Sequence, residues 1–156
     1  MDEKKRMLRI GERLEVRFPS EPTSHNRDPF AILVATILSQ NTNDLNSQRA
    51  FERMKERFMI VPQVIANLEL EELKPVIKMA GLSEIKSRRI IEVSREVLKR
   101  FEGNLNKVFS LPLEDARKAL MDIRGIGPKT ADVLLSLGGG KSIMPVDTNI
   151  FRVVDR

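Results

Sequence analysis

Two apolar-periodic stretches, residues 112–121 and 128–138, are joined only by Asp122-Ile123-Arg124-Gly125-Ile126-Gly127, and nothing else restricts the possible folds of the chain so sharply. Glycine allows a turn that a Cβ would obstruct, and Pro128 at the head of the second stretch pre-sets φ for a helix start. The spacing predicts a helix, a tight hairpin and a second helix. N–H groups at a helix N-terminus that follow one another in sequence suit an anion, a phosphate among others, whereas an ordinary helix connection would use glycine in the same way. Lys129 would lie in the first turn of the second helix, where the peptide dipoles disfavour a further positive charge and so favour the uncharged, nucleophilic amine. Asp147, in Pro145-Val146-Asp147-Thr148, or a neighbour of it, would cap the final helix.

The rest of the chain also has helical period, with no sustained apolar/polar alternation, so the reading is all-α. Leu8, Leu14 and Phe18 mark a first helix ending at Pro19, followed by a polar loop over 20–28. A second helix starts at Pro29, and its apolar run over 30–38 predicts a central, buried helix. An amphipathic helix covers 43–58, entered through Ser39-Gln40-Asn41-Thr42. Short helices are expected over 62–66 and 70–79, with Gly81 as a stop. Ser83 would cap a helix reaching Phe101, with Ile85, Ile90, Ile91, Val93, Val97 and Leu98 facing the core and Lys86, Arg88, Arg89 and Arg95 lying elsewhere. Gly138-Gly139-Gly140 ends the helix that follows the hairpin.

With 156 residues, 41% of them hydrophobic, the chain can bury one core. No apolar run approaches the roughly 20 residues needed to cross a bilayer, and Asp2-Glu3-Lys4-Lys5-Arg6 lacks the apolar stretch of a signal peptide. A cytoplasmic protein without membrane contact is the expectation. With no cysteine and a single histidine, His25, read as a loop residue, neither a metal site nor a cofactor is indicated. The formal charge of +5 is uneven: residues 1–77 carry 12 basic and 12 acidic side chains, residues 78–156 carry 15 and 10. The excess therefore sits with the hairpin, which favours a polyanionic partner, although many soluble proteins share such a balance. Abundant Glu, Lys and Arg without Cys, Trp or Tyr also fits a heat-adapted protein.

The segment Ile123-Arg124-Gly125-Ile126-Gly127-Pro128-Lys129-Thr130-Ala131-Asp132-Val133-Leu134, followed by Pro145-Val146-Asp147-Thr148-Asn149-Ile150-Phe151-Arg152-Val153, closely resembles the helix-hairpin-helix (HhH-GPD) DNA glycosylases of the endonuclease III type. Supporting matches are Pro29-Phe30, the run from Ile37-Leu38-Ser39-Gln40-Asn41 to Asp44, and Gly81-Leu82-Ser83 with Lys86; the resemblance spans roughly residues 8–156. It implies the HhH-GPD fold: a six-helix domain over 22–141 containing the motif at about 112–138, with 1–21 and 142–156 as parts of a discontinuous, incomplete second domain. It also implies base excision repair acting on double-stranded DNA that carries a damaged base or an abasic site, in a monomeric, nucleoid-associated prokaryotic protein. A base flipped from the stack is excised, and the abasic strand is then nicked. On that resemblance Lys129 attacks C1′ and forms a Schiff base, and Asp147 helps deprotonate Lys129 or stabilises positive charge on the sugar. Read singly, Lys129 is far more simply an exposed helix lysine and Asp147 a simple cap.

The resemblance further implies DNA contacts by Gly125, Ile126, Gly127, Lys129 and Thr130 at the hairpin, by Gln40 or Asn41 in the gap left by the flipped nucleotide, by Leu82 as a wedge between bases, and by Lys86. Asn41 stands where many relatives have glutamine. Oxidised pyrimidines are the implied lesions; a mismatch thymine/uracil glycosylase without lyase chemistry and a non-catalytic DNA-binding module are the alternatives. Proteins of this type usually continue beyond the aspartate-bearing helix, often into a four-cysteine iron–sulfur loop, whereas this sequence stops at Arg156 and has no cysteine. Exposed apolar surface is therefore expected on the first helix and around Ile150, Phe151 and Val154, where self-association could begin.

Overall fold

The structure, a computed structural model, describes residues 2–19 and 28–154. His25 and most of the loop expected over 20–28 lie outside the described residues. Ten helices follow one another among those described, with no strand: α1 (Glu3–Arg17), α2 (Pro29–Ser39), α3 (Asp44–Arg57), α4 (Pro62–Ile65), α5 (Leu70–Leu73), α6 (Ser83–Phe101), α7 (Asn106–Phe109), α8 (Leu113–Met121), α9 (Pro128–Val133) and α10 (Thr148–Val154). The chain is all-α, as its periodicity requires. None of the described helices is long and apolar enough to cross a membrane.

α2 is the centre of the molecule. Asp28 Oδ2 accepts from Ala31 N–H at 2.9 Å, and Pro29 occupies the first turn, where its missing N–H costs nothing. From there Leu33, Ile37 and Leu38 are fully buried, and α2 packs against α3, α6 and the turn that follows α9. Truncating one such leucine to alanine removes about 2–5 kcal/mol. α6 contributes Ile90, Ile91, Val93 and Val97 to the same core, while Ile85 stays 55% exposed and Leu98 is only partly covered. The core draws its buried members from Phe30 to Leu135.

Three local expectations are corrected. The helix expected over 70–79 breaks into α5 and a 3₁₀ turn, Lys78–Ala80. Pro75 has no N–H for the Glu71 carbonyl, and its ring crowds that oxygen, so an α-helix does not pass through it. Ser83 is the first residue of α6 and not its cap; the cap position is Leu82, in a left-handed conformation without a side-chain bond. α7 is an extra helical turn between Gly103 and Pro112.

After α9 the helix widens into a π turn, Leu134–Gly138, and Gly139 N–H reaches back to the Leu134 carbonyl at 3.1 Å. A Cβ on Gly139 would stand 2.9 Å from Phe109 Cδ1 and 3.0 Å from the Leu135 oxygen, so the missing side chain lets the ring lie against the turn. By contrast α1 and α10 bury no residue. Leu8 and Leu14 on α1, Phe18 at its C-cap, and Phe151 and Val154 on α10 are exposed, as the pattern leads one to expect, whereas Ile150 is partly covered.

Candidate nucleic-acid interface and active site

The hairpin is built from both sides. Ile123 is fully buried at the end of α8, and its carbonyl accepts from Ile126 N–H at 3.0 Å. Gly125 has φ +100°, a conformation that favours glycine, and a Cβ there would also lie close to Arg89 Cγ at 3.2 Å and Val93 Cγ2 at 3.4 Å. Gly127 differs: its φ is −90°, and a Cβ would meet nothing within 4 Å. Among the described residues nothing asks for glycine at 127. The first bond of α9 runs from Ala131 N–H to the Gly127 carbonyl at 3.0 Å, which leaves the amides of Lys129 and Thr130 ahead of the helical ladder. Arg117 on α8 binds Asp132 on α9 through two contacts, Nε to Oδ1 at 2.7 Å and Nη2 to Oδ2 at 3.3 Å, with Asp132 nearly buried. This fork braces the two helices of the hairpin against each other.

The Lys129 side chain is exposed, on an open groove lined by Gln40, Arg89 and residues 125–130. At two of the expected DNA contacts the side chain is not what faces outward. Ile126 and Thr130 turn their side chains inward, at 4% and 3% exposure, and the Ile126 amide is already spent on Ile123. Their apolar and methyl surface belongs to the core, leaving the Thr130 backbone amide as what that residue offers outward. Arg89 was not among the expected site residues. Its Nη1 donates to Gln40 Oε1 at 2.8 Å, joining α6 to the loop after α2 across 49 positions of sequence. The charge run in α6 was the available signal, and it does not say which arginine turns to the groove.

Two loops carry the other expected contacts. Asn41 (φ 53°) is exposed, and Leu82 (φ 46°), preceded by Gly81 (φ 69°), is 53% exposed. Neither lines the groove at Lys129. Lys86, expected to contact DNA, is 3% exposed, and its Nζ donates to the Leu38 carbonyl at 2.8 Å and the Ala80 carbonyl at 2.6 Å. An ammonium so enclosed does not reach a phosphate. Burial pushes it below the ordinary lysine pKa, since the charged form is the one that loses solvation.

Asp147 caps α10. Its Oδ1 accepts from Asn149 N–H at 3.0 Å and Ile150 N–H at 2.9 Å, and its carbonyl accepts from Phe151 N–H at 3.0 Å. The residue is half-buried, it does not line the groove, and its second carboxylate oxygen takes no part in the cap. Among the described residues no group of three or more His, Cys, Asp or Glu side chains could hold a metal ion.

A family model for HhH-GPD superfamily base excision DNA repair proteins matches residues 34–156. The chain is 33% identical over 136 residues to endonuclease III of Thermotoga maritima, covering 86% of this chain and 60% of that protein. It is 33% identical over 156 residues to endonuclease III of Haemophilus influenzae, covering 98% and 69%. Among solved structures, a trapped endonuclease III–DNA covalent intermediate in an estranged-adenine complex superposes with a TM-score of 0.77 at 26% identity, covering 98% of this chain and 68% of that one. The chain thus spans about three fifths to two thirds of the length of these relatives.

Proposed function

The chain belongs to the HhH-GPD superfamily, in its endonuclease III type, and from that premise we propose that it is a base excision repair DNA glycosylase with an associated abasic-site lyase activity. The observation that carries this reading is the setting of Lys129. Its side chain stands exposed in a groove, in the same helical turn as backbone amides left ahead of the ladder, beside a glycine that has no internal reason to be one. Gly127 leaves room for another molecule's backbone to come close, and a phosphate held by the neighbouring amides would set the sugar of one nucleotide against the amine. Such a grip ignores base identity. It suits a protein that must first hold any duplex.

With the nucleotide turned out of the stack, neutral Lys129 Nζ attacks C1′ and the bond to the base breaks, the electron pair leaving with the base. Opening of the sugar gives a Schiff base; loss of the proton at C2′ then expels the 3′ phosphate, which nicks the strand. The free oxygen of Asp147 takes the proton from Lys129 or stabilises the positive charge that develops on the sugar. One solved relative is itself a covalent intermediate with DNA, which supports the lyase half of the proposal. Leu82 and the Gln40-Asn41 loop would fill the space that the flipped nucleotide leaves, and oxidised pyrimidines are the proposed lesions.

Borohydride reduction in the presence of a duplex with an abasic site tests the proposal: a covalent adduct is expected from the wild-type chain and none from Lys129→Gln. Base release without an adduct would instead make the protein a monofunctional glycosylase. Binding with neither reaction would leave a DNA-binding module.

A further inference from the structure

We propose that Lys86 is a positioning residue that locks the Gln40-Asn41 loop and the Gly81-Leu82 loop into one rigid unit, so that Asn41 and Leu82 enter a duplex together. The inference rests on the reading that these two loops engage DNA.

Among the described residues, only Asn41, Leu82 and Glu102 have positive φ without being glycine. Two of the three are the loop tips. A residue held in that region costs about 1–3 kcal/mol and persists only where its surroundings over-determine it. Lys86 supplies such a constraint to both. Leu38, whose carbonyl it holds at 2.8 Å, lies three residues before Asn41; Ala80, held at 2.6 Å, lies two residues before Leu82. Each carbonyl ends a helical segment, α2 in one case and the 3₁₀ turn in the other, where oxygens lack helical partners and the dipole favours a cation.

The bond partners of Lys86 are neutral carbonyls, with no carboxylate among its bonds. A charge buried in this way is a poor source of stability, because an apolar side chain of the same volume does as well or better. What an apolar side chain cannot do is fix two backbones at a set spacing. Arg89, one turn along α6, adds a second tie to the same loop through Gln40 Oε1. α6 therefore carries both loops as one piece.

The test uses a duplex containing a tetrahydrofuran abasic analogue beside a 2-aminopurine, whose fluorescence rises when it is unstacked and which requires no catalysis. Leu82→Ala and Lys86→Met should each cut the fluorescence gain at saturating protein by about five-fold, and the double variant should do no worse than the poorer single one, because both act on one unit. The affinity of Lys86→Met for undamaged duplex, read by anisotropy, should stay within about two-fold, since the phosphate grip lies elsewhere. A full gain with Lys86→Met while Leu82→Ala is impaired would overturn the proposal, as would losses that simply add. An unchanged gain with Leu82→Ala would remove the wedge reading and the proposal with it. Failure of both Lys86→Met and Lys86→Gln to fold would assign the lysine to folding alone and overturn the proposal as well.

Discussion

Lys129 rises from a helix whose far side is core, with Ala131, Leu134 and Leu135 fully buried and the Arg117–Asp132 fork tying that helix to its neighbour, whereas Asp147 heads α10, which buries nothing and is started by its own cap. The Lys129 amine inherits its position from the packing of the whole domain. The carboxylate is placed by two hydrogen bonds within three residues. Rigidity at the amine suits the proposed attack on C1′ along one line, and local placement suffices for the charge or proton transfer proposed for Asp147.

The sharpest way to break the comparison is at the amine. Lys129→Gln should lower strand cleavage at an abasic site by at least about 10³-fold in single-turnover assays while leaving the melting temperature unchanged, because the side chain is exposed. Asp147→Asn keeps a good cap and removes only the charge, so base release should fall about 10²–10⁴-fold with duplex binding retained. Unchanged single-turnover cleavage would contradict the role given to Asp147. The supports themselves can be probed by denaturant melts: Leu135→Ala should cost about 2–5 kcal/mol, and Phe151→Ser on α10 less than about 0.5 kcal/mol. Similar costs at the two sites would mean that α10 is anchored as firmly as α9. On the DNA side, Gly127→Val fits the backbone and should weaken binding to all duplexes alike by about ten-fold, or ~1.4 kcal/mol. Loss confined to one lesion would move Gly127 from phosphate contact to base recognition.

The strong support was the more legible of the two in the sequence. Apolar period on both sides of Gly125-Ile126-Gly127-Pro128 marks the hairpin, because the glycine and proline requirements are local and the buried face repeats at helical spacing. The buried run of α2 could be read for the same reason. What could not be read is the framework under the loops. Lys86 and Arg89 look like solvated helix charges, and the groups that claim them, the Leu38 carbonyl and Gln40 Oε1, are 48 and 49 positions away. Ile126 and Thr130 sit in the hairpin expected to meet DNA, but a motif does not say whether side chain or amide makes the contact. Pro75 was visible in the sequence, and its effect on the helix expected over 70–79 follows from sterics that periodicity alone does not weigh.

The π turn at Leu134–Gly138 lies on the path from one support to the other. A π turn takes up one residue more than an α turn within the same full turn, so deleting a single residue there would restore regular helix while the chain leaves in nearly the same direction. The turn stores one residue beyond what a regular helix needs, just ahead of the segment that leads to Asp147, and its fully buried Leu134 and Leu135 hold that extra residue in place.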